Sequence, residues 1–242
     1  MNVKCNGQLV VDEDAELYQF FGFEIGFYSP AAIKAAISAL PAGEELVLEI
    51  NSVGGSIMAA NEIYSDLEGC PNPTRAVIQS LAASAASYFP LACDRVEMSL
   101  PAQMMIHQAH AHIEGNKADH RWIADQLEVG DSGMLDVYCK KCGAKATREE
   151  LQQLMEEETY LGSRRCLELG LVDGIIGENT APAEPEQASP TAFAASVAGN
   201  IITAMAVLPT VAELKARRDR EQSWKNTAAR ELAAEKNKTW KG

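Results

Sequence analysis

An apolar segment, Leu46-Val-Leu-Glu-Ile50, runs into a double glycine at Gly54-Gly55 and then directly into a segment of helical periodicity, Ser56 to Leu67. A buried strand that turns on glycines into an amphipathic helix commits a chain to a sheet with helices packed on it. Ile57, Ala60, Ile63, Tyr64 and Leu67 share one helical face, and Cys70-Pro-Asn-Pro73 stops the helix. The same alternation continues along the chain. Ala76-Val-Ile78 reads as a second strand and Ser84 to Leu91 as a short helix. Asp94 to Glu97 and Gln103 to Ile106 read as further short strands, separated by Pro101. Upstream, Leu17 to Phe21 reads as a strand, and Ser29-Pro30 opens a helix through Leu40 with proline at its first position.

The longest helical pattern is Asn116 to Lys141. Its apolar stripe is Trp122, Ile123, Leu127, Met134, Val137 and Tyr138, and Gly143 ends it. Thr147-Arg-Glu-Glu150 is a capping box opening a helix through Met155. Ser163 to Leu169 is a short helix, and Leu171 to Ile176 a last strand. The expected class is α/β, with crossover connections between strands.

The chain's 242 residues suffice for one sizeable domain and an appendage. Residues 1–177 carry 12 Lys and Arg against 26 Asp and Glu, a net of −14. Such an acidic body argues against nucleic-acid binding. Residues 178–192 are rich in Ala, Pro, Glu and Ser, a linker composition. Residues 193–242 carry 9 basic and 5 acidic side chains, a net of +4, and read as a basic helical tail. The expected organisation is therefore a domain at 1–177, a flexible linker at 178–192 and a tail at 193–242, with the linker a candidate self-cleavage site. No apolar run approaches the ~18 residues of a membrane span. The segment Met1 to Gly7 has no apolar signal core, so six reduced cysteines in a cytoplasmic protein are expected.

Three stretches carry residues with chemistry to do. Ser84 lies among Ala82, Ala83, Ala85 and Ala86, where a strand turns into a helix. That place exposes a hydroxyl and aims backbone N–H groups at a developing negative charge. The alternative role for Ser84 is a helix cap among small packing residues. Gly54-Gly55 lacks the dinucleotide glycine pattern; paired with Ser84, the N–H groups of Gly55 and Ala85 would make an oxyanion hole. His107, in Met105-Ile-His-Gln108, ends an apolar strand, where a histidine needs a partner. It is either a general base or a satisfied core residue. His110 and His112 form a His-x-His pair without an evident third ligand, so no metal site is expected. Cys139-Lys-Lys-Cys142 falls in the last turn of the long helix and reads as structural thiols.

The order and spacing of these stretches resemble the ClpP family of serine peptidases over residues 15–177. The matching segments are Ile50-Asn-Ser-Val-Gly-Gly55, Ala82-Ala-Ser84, Met105-Ile-His-Gln108 and Leu169-Gly-Leu-Val-Asp173. The resemblance implies a ClpP/crotonase-like fold of repeated strand–helix units with a long protruding helix, followed here by a short helical C-terminal tail. It makes Ser84 the nucleophile, His107 the base, Gly55 and Ala85 the oxyanion donors and Gly54 part of the substrate-binding loop. The family's usual acid, an aspartate, lies fifteen residues before the aspartate of Gly-Leu-Val-Asp; here that place is Glu158, with Glu157 the fallback. A glutamate can still deliver its carboxylate to the imidazole N–H. The family usually has proline where Val53 and Ala109 stand, and both prolines stiffen loops near the substrate.

The resemblance therefore implies a serine endopeptidase with a Ser-His-Glu triad. It needs no cofactor or metal, acts independently of ATP and assembles as a homo-oligomer, with rings expected. The Glu-Thr-aromatic context at 158–160 is similar to the phage head-maturation branch, whose protein substrates are capsid or scaffold precursors. The alternatives are a housekeeping-type proteolytic subunit fed by an ATP-dependent unfoldase, and a catalytically silent assembly scaffold. Neither a membrane nor a nucleic acid is an expected partner.

Overall fold

A computed structural model describes residues 1–23 and 26–178, together with residues 215, 216 and 218. Among them lie eight strands in one sheet: β1 (Asn2–Leu9), β2 (Phe27–Tyr28), β3 (Leu46–Gly55), β4 (Thr74–Ala83), β5 (Arg95–Met98), β6 (Gln103–Ile106), β7 (Thr159–Gly162) and β8 (Gly174–Ile175). The helices are α1 (Asp12–Phe20), α2 (Pro30–Ala39), α3 (Ile57–Glu68), α4 (Ala85–Tyr88), α5 (Lys117–Cys142), α6 (Arg148–Glu156) and α7 (Ser163–Leu169). The sheet runs β2-β1-β3-β4-β5-β8, with β6 paired to the far half of β4 and β7 paired to β6. Every pairing is parallel except β6 with β7. The α/β class read from the sequence is the observed one.

The core forms between the sheet and the helices that return along it. Leu46, Leu48 and Ile50 of β3, Ala76 and Ile78 of β4, and Val96 and Met98 of β5 are buried. They pack with Ala59, Ala60, Ile63 and Leu67 of α3; of the face expected from the sequence spacing, Ala60, Ile63 and Leu67 are buried, and Ile57 and Tyr64 are partly buried against the same core. Ser56 caps α3 by accepting the Ala59 N–H at 3.2 Å. Asn116 caps α5 in a reciprocal box with Asp119, and Thr147 caps α6 by accepting the Glu150 N–H. Asp173 pins the last strand: it accepts the Val96 N–H at 2.7 Å and pairs with Lys141 of α5.

Two readings of the sequence are corrected. Leu17 to Phe21 is not a strand; residues up to Phe20 belong to α1. Asp12, Glu13 and Asp14 fill the first turn of that helix, where negative charge suits the N-terminal end of the helix dipole. Leu17 and Tyr18 are buried together, and with Ala15 and Val10 they form a small second core. A strand would have put those two neighbours on opposite faces. The last strand is only Gly174–Ile175; Leu171 and Val172 are buried in the turn after Gly170. The proposed linker 178–192 lies outside the described residues apart from Glu178, and the tail lies outside them apart from residues 215, 216 and 218.

Candidate active site

Ser84 stands between the end of β4 and the start of α4 with φ 56° and ψ −129°. A non-glycine residue with positive φ is strained by about 1–3 kcal/mol and persists only where its surroundings fix it. Here they do. The Ser84 N–H donates to the Met105 carbonyl of β6 at 2.9 Å. The Ser84 carbonyl accepts both the Ser87 N–H at 2.9 Å and the Ser87 hydroxyl at 2.5 Å. Ser87 Oγ in turn lies 2.6 Å from the hydroxyl of Tyr138, a fully buried residue of α5. The long helix thus braces the backbone of the candidate nucleophile from behind. The sequence reading placed Tyr138 in an apolar stripe and did not assign its hydroxyl a partner.

The glycine turn sits against the same point. A Cβ on Gly54 would stand 2.7 Å from Ser84 Cβ and 2.9 Å from the Ala85 nitrogen; on Gly55 it would meet the Leu9 carbonyl oxygen at 2.0 Å. Both positions also have positive φ, 86° and 150°, so only glycine fits without strain. Buried Ser52 organises this turn. Its hydroxyl donates to the Gly7 carbonyl at 2.7 Å and accepts from Tyr28 Oη at 2.9 Å and from the Gly54 N–H at 3.1 Å. The Gly54 amide is therefore already engaged, and Gly54 can contribute shape but not that N–H to a ligand. Ala85 is the first residue of α4, and first-turn amides of a helix have no intrahelical acceptor.

His107 follows β6 and is 8% exposed. Its Nε2 lies 2.7 Å from Ser84 Oγ, so the two residues that the sequence singled out separately are in hydrogen-bond contact. Glu158 precedes β7. The antiparallel register pairs Met105 with Tyr160 and Ile106 with Thr159, which brings the turn holding Glu158 to the same end of the pair as His107. Glu158 takes φ 49° at this corner. Its charge is the larger of two acidic influences on His107, the other being Asp131 of α5, but no hydrogen bond joins Glu158 to the imidazole. Glu157 is turned elsewhere: its Oε1 accepts from Gln153 Nε2 at 2.9 Å.

Burial, followed by the electrostatic effect of neighbouring His110, holds the His107 pKa below its ordinary 6.5; Glu158 and Asp131 oppose this. The two imidazole rings are 5.4 Å apart. A general base must be neutral to take a proton, so in that role a histidine with a lowered pKa would act in more acidic solution. The acid limb of kcat/KM is therefore expected at an apparent pKa below 6.5. His110→Ala, which removes the effect of that neighbour, is expected to move that limb upward. A pH–rate profile of both proteins checks this; an unchanged or lowered limb in the variant would contradict it.

Among the described residues, no group of three or more His, Cys, Asp or Glu is placed to hold a metal ion. Burial raises the Cys142 thiol to about 11, leaving it protonated and unreactive at neutral pH.

The sequence matches the family described as Clp protease over residues 31–179, more than half of the chain. ATP-dependent Clp protease proteolytic subunit 1 of Chlamydia muridarum is 28% identical over 165 residues, covering 63% of this chain and 85% of that protein. The ATP-dependent Clp protease proteolytic subunit of Deinococcus radiodurans is 28% identical over 137 residues, with 56% and 66% covered. Proteolytic subunit 2 of Thermobifida fusca is 30% identical over 142 residues, with 58% and 69% covered.

Proposed function

The chain belongs to the Clp protease family, and from that premise we propose that it hydrolyses peptide bonds by acyl transfer through Ser84. The observation that carries this is the 2.7 Å contact between Ser84 Oγ and His107 Nε2 beside a glycine turn. Ser84 Oγ attacks the peptide carbonyl carbon while His107 takes its proton. The carbonyl oxygen becomes an oxyanion, held by the N–H groups of Gly55 and Ala85 at about 3 kcal/mol per donor. Collapse expels the amine, which receives the proton from His107. Water then attacks the acyl ester, again through His107, and frees Ser84. Glu158 stabilises the imidazolium in both halves. Gly54 keeps the space beside Ser84 open for the substrate backbone.

Two readings of how substrates arrive have support of different kinds. The relatives are named as ATP-dependent proteolytic subunits, which favours a subunit whose protein substrates an ATP-driven unfoldase delivers. The Glu-Thr-Tyr sequence at 158–160 favours ATP-independent processing of phage capsid or scaffold precursors. The names give the first reading the broader support. Purified protein assayed without nucleotide separates them. Cleavage of a fluorogenic peptide but not of a folded protein, with folded protein cut only when an unfoldase and ATP are added, supports the first. Specific cuts in a capsid precursor without ATP support the second. No hydrolysis of any of these overturns the peptidase reading itself.

Self-association belongs to the same proposal. Among the described residues, none from Lys117 to Gly133 of α5 is buried, and Trp122 and Val129 are 60% and 69% exposed. Apolar side chains displayed on an otherwise unsupported helix mark an interface, and a second copy of this chain is the partner expected from the resemblance. Sedimentation is expected to show an assembly several times the 26.1 kDa chain. Full activity from a monomer at micromolar concentration would contradict the ring.

A further inference from the structure

The chain leaves β6 at His107 and has no regular secondary structure until α5 begins at Lys117. One hydrogen bond ties the start of that segment to the long helix: the Ala109 N–H donates to Asp131 Oδ1 at 2.5 Å. The helix backbone comes close at the same place, because a Cβ on Gly130 would stand 3.7 Å from Ala109 Cβ. Ala109 is two residues beyond the base, so fixing its amide limits how far the backbone that carries His107 can move. The charge of Asp131, on α5, also acts on the His107 ring, as does that of Glu158 at the start of β7. The charged and titratable groups acting on His107 are then Asp131 from α5, Glu158 from the start of β7 and His110 from its own segment.

We propose that Asp131 is a positioning residue for the general base, tethering the segment after His107 to α5 through the Ala109 amide and adding a second carboxylate beside the imidazole. The proposal rests on the reading of Ser84 and His107 as nucleophile and base, and goes beyond it by giving the long helix a part in catalysis. An unsupported base drifts from the hydroxyl it must deprotonate, and misplacement of about 1 Å costs on the order of a hundredfold in rate.

Two substitutions separate the tether from the charge. Asp131→Asn keeps an oxygen that can accept the Ala109 N–H but removes the charge. Its kcat on the alkaline plateau should stay within about threefold of wild type, since the positioning contact is retained. Its acid limb should move to lower pH, because a carboxylate that raises the His107 pKa is gone. Asp131→Ala removes both, and should show the same limb shift together with a kcat loss of about tenfold to a hundredfold. The measurements are pH–rate profiles on a fluorogenic peptide, with rates of fluorophosphonate labelling at Ser84. Wild-type kcat and an unmoved acid limb in both variants would overturn the proposal. So would equal kcat losses in Asn and Ala, which would make the residue merely structural. If Asp131→Ala fails to fold, the limb shift and retained plateau rate of Asp131→Asn decide alone. Failure of the underlying reading is distinguishable, because wild-type protein would then neither label at Ser84 nor hydrolyse the peptide.

Discussion

Replacing His107 by alanine is expected to lower kcat for peptide hydrolysis by about six orders of magnitude, the loss that follows removal of the base from a comparable serine triad. A serine hydroxyl is a weak nucleophile until a neighbouring base takes its proton in the transition state. His107 Nε2, at 2.7 Å from Ser84 Oγ, is placed to do so. His110 is the neighbouring imidazole, but it is exposed, and its ring is displaced 5.4 Å from that of His107. His107→Gln, closer in shape, should be equally inactive, because an amide cannot accept the proton. Thermal unfolding of both variants separates lost chemistry from lost structure. A variant that folds and retains a tenth of the wild-type rate would remove His107 from the mechanism.

Glu158→Gln is expected to have the second largest effect, a loss on the order of 10⁴ in kcat if the carboxylate acts as the acid of other triads does. The substitution keeps the side chain's shape and removes the charge that stabilises the imidazolium. It also offers an amide that can favour the wrong imidazole tautomer. Glu157→Gln is the control. Glu157 already accepts a hydrogen bond from Gln153, along α6 and away from His107, so its replacement should leave the rate within a few-fold of wild type, as for other surface polar changes. The two variants also differ in their pH profiles. Loss of Glu158 should lower the acid limb, since its charge raises the His107 pKa, and loss of Glu157 should not. A larger rate loss at 157 would transfer the role there.

Four alanines around Ser84 and an apolar strand ending in His107 single these two residues out, but each also had a structural reading, and the resemblance assigned their roles. Ser84 and His107 each follow a strand, and the β4–β6 pairing brings those two strand ends together. Strand β1 was legible and was passed over: Val3, Cys5 and Leu9 face the core and alternate with Asn2, Lys4, Asn6 and Gln8, with Gly7 weakening the period-two trace. Strand β7 is too short to show a period, yet its pairing with β6 brings Glu158 to the same end of the pair as His107. Glu158 itself was found by counting from Asp173. The aromatic run ending at Phe21 imitates a strand because bulky apolar residues suit both structures. The acidic triplet before it was the overlooked helix signal. Asp131 and Ser52 gave no sequence signal as supports, because each acts through backbone amides or carbonyls whose positions exist only in the fold.

The central claim is that Ser84 is an activated nucleophile, and covalent capture tests it most directly. A fluorophosphonate reacts only with a serine whose hydroxyl is deprotonated by a neighbouring base. Wild-type protein treated with the probe and digested should yield one modified peptide, with the adduct on Ser84, and Ser84→Ala should remain unmodified. Adduct formation on Ser80 or Ser87, undiminished labelling of Ser84→Ala, or folded wild-type protein that never labels would each contradict the assignment.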